Sequence, residues 1–464
     1  MTKVCFCGIS GNGMSPLAQI LALKGFDVYG SDRSFDNNLD KENRSALESM
    51  GIKIIPQNGL YITPDMEIYV SAALDENNPD IKTAQRLGLN IKQRSDLLAE
   101  IFAEYPCGVA VGGTSGKTTT TAMIGYILDS LGKKPCMING GMLRNYQDKK
   151  GLPNFIYNKD NICVIEADES DGSIKKYHPN IGLINNISHD HTSMEKLIEY
   201  FTAFAKNCKD ALVTNYDCEL TRNMKHSKKV ITFSTQNPQA DFFANNIKFF
   251  PNGIHYDFRG QTFSLNLFGA FNVSNALAAI AVCSQLEISP LEAAKTLEKF
   301  TGIKRRLEIV GTTENNITLI DDFAHNPSKI SSSLQALKAY QGRLIVMYQP
   351  HSAFSAKNTG LEVAQVVAQT LDKNDIFLMP EIYMLDKNID PDISSANIVN
   401  TIKNKGFNNA FFFEKKQQIY QYILDKAQSN DRIVIMGARD NSLPNFSRNI
   451  LKEFFTKNAK KHAS

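Results

Sequence analysis

The run Gly113, Thr114, Ser115, Gly116, Lys117, Thr118, Thr119 constrains the fold more than any other stretch of the chain. A compact apolar run, Gly108 to Val111, precedes it, and a helical pattern follows through Leu131. A glycine turn between a strand and a helix aims successive backbone N–H groups at phosphate oxygens, and the helix dipole favours the anion. Lys117 adds a point charge for the β- and γ-phosphates, and Thr118 offers a hydroxyl to Mg2+. The longer Walker form wants glycine at 111, where this chain has Val111. The competing reading is a glycine turn that contains a lysine by chance.

Two buried strands downstream end in polar residues. Ile162 to Ile165 runs into Glu166, Ala167, Asp168, Glu169, Ser170 and Asp171. Alone, such an acidic run reads as a solvated face. Here it leaves the C-terminal end of a strand, where α/β domains place ligands. Ile181 to Ile184 likewise leads into Asn185, Asn186, Ile187, Ser188, His189, Asp190 and His191. A glutamate and a histidine at two strand ends near a phosphate-loop threonine suit a Mg2+ site, with two ions expected.

The chain opens on Lys3 to Cys7, then Gly8, Ile9, Ser10, Gly11, Asn12 and Gly13, then a helical pattern from Met14 to Lys24. A second strand from Phe26 ends at Ser31 and Asp32, which makes a βαβ start. Ser10 stands where the GxGxxG fingerprint has its middle glycine, so a plain turn remains an alternative. Strands and helices keep alternating to about Phe102, and again from Leu307, with strands expected at Ile317–Ile320, Leu344–Tyr348, Ile376–Met379 and Ile433–Met436. With 464 residues, and about 150 residues per domain, we expect three α/β domains. These are a Rossmann-like domain at 1–103, a central P-loop ATPase domain at 104–306 and a Rossmann-like domain at 307–464. Each is long enough to bury its own core.

Lys and Arg total 51 against 48 Asp and Glu, a net charge of +3. That balance argues against nucleic acid or a membrane surface as partner. The Lys-rich tail after Phe455 reads as a solvated helix end. No signal peptide or transmembrane run is read. The eight cysteines are scattered, and Cys5 and Cys7 fall in an apolar strand, so we read reduced core thiols and a cytoplasmic protein.

Taken in order, these motifs resemble those of the Mur ligases over nearly the whole chain. Further matching runs are Asn272 to Ala279, Phe300 to Arg306, Asp321 to Pro327 and Gln349 to His351. The resemblance, strongest to the members that add L-alanine, implies an ATP-dependent carboxylate–amine ligase of peptidoglycan precursor synthesis. It implies UDP-N-acetylmuramate and L-alanine, or a peptide acceptor, as substrates, an acyl-phosphate intermediate, and a monomer or homodimer. It implies that Thr118, Glu166 and His191 hold Mg2+ and that Gly113 to Thr119 hold the ATP phosphates. Asn272 and Asn275 would face adenine, although Asn272 also fits a helix N-cap. Arg306 would reach the γ-phosphate, and Asp322 the ribose or a metal water. His325 and His351 would lie near the reacting groups. Gly8, Ile9, Ser10, Gly11, Asn12, Gly13, Met14, Ser15, Asp32 and Ser71 would form the UDP-sugar site. The third domain would close over ATP.

Four positions depart from the L-alanine-adding pattern: Ser115 and Phe271 replace histidines, Ser352 replaces an arginine and Arg439 a glycine. Losing an arginine removes a charge where the amino acid is expected. Two alternatives follow. One is a recycling ligase that adds the L-Ala-γ-D-Glu-meso-diaminopimelate tripeptide, whose pattern is nearer Asp321 to His325 and Ser352. The other is a catalytically silent paralogue that binds UDP-sugar and ATP, against which stand Lys117, Glu166, His191 and Arg306.

Overall fold

The computed structural model describes residues 2–188, 192–224, 229–251, 253–383 and 393–462. They form two compact units. The first runs to Ile247 and takes in His255–Asn266 and Phe271–Ile303; the second comprises Lys248–Ile254, Leu267–Ala270 and the chain from Lys304 onward.

The first unit begins with β1 (Lys3–Cys7), α1 (Ser15–Leu23), β2 (Asp27–Ser31), α2 (Arg33–Asp36), α3 (Lys41–Ser49), β3 (Lys53–Ile55), β4 (Met66–Val70), α4 (Pro79–Arg86), β5 (Ile91–Gln93) and α5 (Arg94–Ala103). The strands order as β3-β2-β1-β4-β5, all parallel. The order reverses beside β1, so the ends of β1 and β4 flank the crevice where such sheets bind ligands. Pleating alternates the side chains of β1. Val4 and Phe6 enter one apolar cluster, while Cys5 and Cys7 enter another with Ile55, Ile68 and Val70.

Next come β6 (Cys107–Gly112), α6 (Lys117–Ser130), β7 (Cys136–Ile138), β8 (Phe155–Ile156), β9 (Ile162–Glu166), β10 (Ile181–Ile184), α7 (Met194–Asn207), β11 (Ala211–Asn215), α8 (Glu219–Arg222), β12 (Lys229–Ser234), β13 (Phe242–Phe250), β14 (Gly253–Phe258), β15 (Gln261–Leu265), α9 (Phe271–Ser284) and α10 (Pro290–Leu297). The sheet order is β15-β14-β13-β12-β11-β10-β6-β9-β7-β8. β6 lies between β10 and β9, parallel to both, so three functional strand ends sit side by side.

The two sheets of the first unit share a core on one side, while the first sheet keeps the separate cluster around Cys5 and Cys7 on its other face. Leu97, Leu98 and Phe102 of α5 join Ala110, Cys163 and Phe201 in one cluster. The Phe102 ring lies edge-on to Tyr177 at 6.2 Å. It fills the space a side chain at position 108 would take, since a Cβ on Gly108 would come 2.4 Å from its Cζ.

The second unit carries β16 (Glu308–Thr312), β17 (Thr318–Asp322), α11 (Pro327–Lys338), β18 (Leu344–Tyr348), α12 (Ala353–Thr370), β19 (Ile376–Pro380), α13 (Ser395–Asn404), β20 (Ala410–Phe413), α14 (Lys416–Lys426), β21 (Arg432–Met436) and α15 (Leu443–His462). Its sheet runs β16-β17-β21-β18-β19-β20, with only β16 antiparallel. β17, β18, β19 and β21 are buried along their whole length, as strands covered on both faces must be. Among the described residues, no helix is long and apolar enough to cross a membrane.

Candidate functional site

Backbone geometry builds the phosphate loop. β6 delivers the chain at Gly112, and α6 starts at Lys117 with Gly116 as its N-cap residue. Gly116 has φ +84°, and a Cβ there would lie 2.5 Å from Asn275 Oδ1 and 2.7 Å from Asn185 Nδ2. Gly113 has φ +134°, and its Cβ would press the backbone nitrogens of Asn185 and Asn186 at 3.1 and 3.2 Å. Only glycine meets both conditions.

The end of β10 braces the loop from below. The Thr114 amide donates to the Asn186 carbonyl at 3.1 Å. The Thr114 hydroxyl and the Ser115 amide donate to Asn186 Oδ1 at 2.8 and 2.9 Å. Asn186 Nδ2 returns a bond to the Ser115 carbonyl at 3.1 Å. Asn185 Nδ2 donates to Thr120 at 2.9 Å. The sequence reading named Asn185 and Asn186 as the exit of a strand and gave them no role. An Asn pair leaving a buried strand near a glycine loop was the available signal.

The end of β9 supplies the acids. The Thr118 hydroxyl donates to Glu166 Oε1 at 2.9 Å, and the Gly140 amide donates to Glu166 Oε2 at 2.9 Å. A Cβ on Gly140 would meet that oxygen at 2.5 Å. Lys117 Nζ donates to the Gly113 carbonyl at 2.7 Å and to both oxygens of Glu169 at 2.7 and 3.0 Å. Burial opposes the charge on Lys117, yet the carboxylates of Glu169, Asp168 and Glu166 outweigh it and raise its pKa. His191, the third expected metal ligand, lies outside the described residues.

Asn272 and Asn275 sit one turn apart on α9 and are both buried, with Asn275 Nδ2 donating to Asn272 Oδ1 at 3.0 Å. Their amides therefore meet each other, and Asn275 Oδ1 lies where a side chain at Gly116 would be.

At the first sheet, the Gly8 and Ile9 amides donate to the Ser31 carbonyl, and the Ser71 amide donates to the Cys7 carbonyl. This brings Gly8, Asp32 and Ser71 to adjacent strand ends. Asp32 Oδ2 accepts from the Ser10 amide and hydroxyl at 3.0 and 2.6 Å, and Asp32 Oδ1 caps α2 through the Ser34 amide at 2.9 Å. Gly11 and Asn12 are exposed, whereas Ile9, Met14 and Ser15 are packed inside. Ser15 accepts from Asn154 Nδ2 at 2.8 Å, a partner absent from the sequence reading. Arg94, at the start of α5, was also missed. A Cβ on Gly13 would come 2.9 Å from its Cδ, and its guanidinium lies 3.9 Å from Asp171.

The second unit gathers its own polar group. Arg306 is exposed and stacks on Phe323 at 5.6 Å. Asp322 is 4% exposed, and its carboxylate accepts from the Ser333 hydroxyl at 2.5 Å and the Leu307 amide at 3.3 Å. Burial pushes its pKa up. His325 Nδ1 bonds the Phe323 carbonyl at 2.9 Å, and its ring stands edge-on to His351 at 5.6 Å. Burial lowers the pKa of His325 to about 4 and also lowers that of His351. Both imidazoles are therefore neutral near pH 7. His351 Nδ1 is buried with no hydrogen-bond partner among the described residues.

Comparisons with known proteins agree along the chain. Residues 3–106 match the Mur ligase family catalytic domain, 111–283 the Mur ligase middle domain and 305–439 the Mur ligase glutamate ligase domain. The chain is 34% identical to the UDP-N-acetylmuramate–L-alanine ligase of Dictyoglomus turgidum, over 87% of this chain and 86% of that one. It is 34% identical to the enzyme of that name from Thermosynechococcus vestitus, over 93% and 92%. The crystal structure of the Thermotoga maritima UDP-N-acetylmuramate–alanine ligase superimposes with a TM-score of 0.81, at 27% identity, over 98% of this chain and 100% of that one. The murein peptide ligase of Psychrobacter arcticus shares the fold, with a TM-score of 0.68 at 23% identity. With three family models in sequence across it and relatives at this identity over most of its length, the chain belongs to the Mur ligase family.

Proposed function

We propose that this protein adds L-alanine to UDP-N-acetylmuramate in peptidoglycan precursor synthesis, converting ATP to ADP and phosphate. The observation that carries the nucleotide chemistry is the convergence of Lys117, Thr118 and Glu166 at the ends of β6 and β9, with Thr118 and Glu166 2.9 Å apart. The choice of substrates rests on the full-length likeness to ligases of that name.

The lactyl carboxylate attacks the γ-phosphorus, ADP departs, and the resulting acyl phosphate is opened by the amine of the amino acid. Carboxylate oxygen thereby leaves as part of inorganic phosphate. The loop amides between Gly113 and Lys117 bind phosphate oxygens, and the Lys117 ammonium spreads the charge of the transferring group. Arg306 serves as a phosphate ligand, for which a planar guanidinium is suited. His325 and His351, neutral at pH 7, accept or donate hydrogen bonds at the reacting groups without adding charge. The switch-point loop Gly8 to Ser15, with Asp32 and Ser71 at its flanks, takes the UDP-sugar; Ile9, Met14 and Ser15 support it from inside.

The donors fit Mg2+. Thr118 and Glu166 present hard oxygens at one point, and Mg2+ keeps several waters and phosphate oxygens as ligands, so it needs no all-protein cage. Thr118, Glu166 and His191 would hold it, and a bound ion would supply charge neutralisation for the transferring phosphoryl group. We further propose domain limits at 1–103, 104–306 and 307–464, a cytoplasmic location, and a monomer or homodimer.

The test is product mass after incubation with ATP, Mg2+ and UDP-N-acetylmuramate, offering L-alanine, glycine, L-serine or the L-Ala-γ-D-Glu-meso-diaminopimelate tripeptide. A UDP-N-acetylmuramoyl-L-alanine product supports the assignment. A product only with the tripeptide makes the chain a recycling ligase, and no product with any acceptor removes the ligase assignment.

A further inference from the structure

The Lys117 ammonium is fully engaged by the protein's own oxygens. An ammonium carries three N–H donors and no acceptor. Here three oxygens stand within hydrogen-bond distance of Nζ: the Gly113 carbonyl and both carboxylate oxygens of Glu169. The Glu169 side chain is 2% exposed and that of Lys117 13% exposed, so water does little to screen the pair. A phosphate oxygen that needs the Lys117 ammonium meets a carboxylate already holding it from two sides. Two anions then compete for one cation in a buried place, where repulsion between them is costly.

We propose that Glu169 is a positioning residue that acts through Lys117: its carboxylate stands in for phosphate in the nucleotide-free enzyme and gives up the ammonium when ATP binds. This deepens the ATP-site reading above and rests on it. Glu169 belongs to the turn that follows β9, so its displacement is felt along that turn. The Ser173 hydroxyl and the Ile174 amide both donate to the Asp168 carbonyl, at 3.3 and 3.1 Å, which ties the turn into one piece. Asp171 at its tip lies 3.9 Å from Arg94, and Arg94 packs on Gly13 of the switch-point loop. Handing Lys117 to the nucleotide therefore moves an element that touches the loop assigned to the UDP-sugar. The glutamate makes ATP binding weaker than the bare loop would allow and couples it to the neighbouring site.

The experiment is an equilibrium titration of the full chain with ATP and Mg2+, no sugar nucleotide present, in wild type, Glu169→Gln and Glu169→Asp, with adenosine as a parallel ligand. Glutamine keeps the shape and removes the competing charge, so ATP should bind about tenfold more tightly. Adenosine, which does not engage Lys117, should bind all three proteins equally. Aspartate is one methylene shorter and cannot hold both oxygens on Nζ, so it should give an intermediate tightening; this variant carries the test if Glu169→Gln does not fold. A general loosening of the fold would weaken ATP and adenosine together and would overturn the proposal. So would unchanged or weaker ATP binding with adenosine binding retained. Wild-type protein that binds no ATP would instead remove the ATP-site reading, and the inference with it.

Discussion

Lys117, after β6, and Glu166, at the end of the neighbouring strand β9, do different jobs, and each can be removed separately. Lys117→Ala deletes the only side-chain ammonium in the phosphate loop, and turnover should fall by roughly a hundredfold or more, as when one preorganised charge-stabilising donor is lost. Steady-state phosphate release measures it. Glu166→Gln keeps the bond from Thr118 but halves the anionic oxygen available to a cation. The Mg2+ concentration for half-maximal rate should rise several-fold; an unchanged Mg2+ titration would take Glu166 out of the metal site. His325 makes a prediction about stability. Its folded pKa of about 4 lies below the ordinary value of 6.5, so between those values the unfolded chain binds the proton more readily. The neutral ring's contribution is complete above pH 6.5 and is lost as pH falls toward 4. Relative to His325→Asn, the wild type should lose about 3 kcal/mol between pH 7 and pH 4, read by chemical denaturation at each pH.

At the scale of elements, legibility followed the length of apolar runs. Gly108 to Val111, Ile162 to Ile165 and Ile181 to Ile184 declare themselves as buried parallel strands, and they are β6, β9 and β10. The stretch from β11 to β15 was not read, because strands such as Phe242–Phe250 mix buried and exposed residues around Asn245 and Asn246 and lack a clean period. Motif residues were legible where the backbone dictates them, as at Gly113 and Gly116. Partners contributed by distant segments were not: Gly140, Arg94 and Asn154 carry no local signature, since their roles exist only once strands and loops are side by side. The shared core of the first unit was hidden for the same reason. Phe102 is its hinge of packing, edge-on to Tyr177 and filling the space over Gly108. Phe102→Ala should cost about 3–5 kcal/mol of stability, seen as a lowered denaturation midpoint, with both sheets of the unit melting less cooperatively.

Over the whole molecule, three layered α/β sheets present loops at the C-terminal ends of their strands, and many of the residues expected to carry chemistry fall on those loops, Asn272 and Asn275 on α9 and Arg306 ahead of β16 being exceptions. Gly8 to Asn12 follows β1, the phosphate loop follows β6, Glu166 closes β9, and His325 and His351 follow β17 and β18. That common placement is what a parallel sheet allows, because strand ends converge where helix N-termini begin. Of the four departures from the L-alanine-adding pattern, Ser352 and Arg439 lie on the second unit, while Ser115 and Phe271 lie on the first, Ser115 in the phosphate loop itself. The central claim is that carboxylate activation passes through an acyl phosphate, and isotope transfer tests it most directly. UDP-N-acetylmuramate carrying 18O in both carboxylate oxygens is turned over with ATP, Mg2+ and L-alanine, and the released phosphate is weighed by mass spectrometry. The account predicts one 18O in each phosphate and one retained in the amide. Phosphate without 18O, formed at the same rate as product, would contradict it.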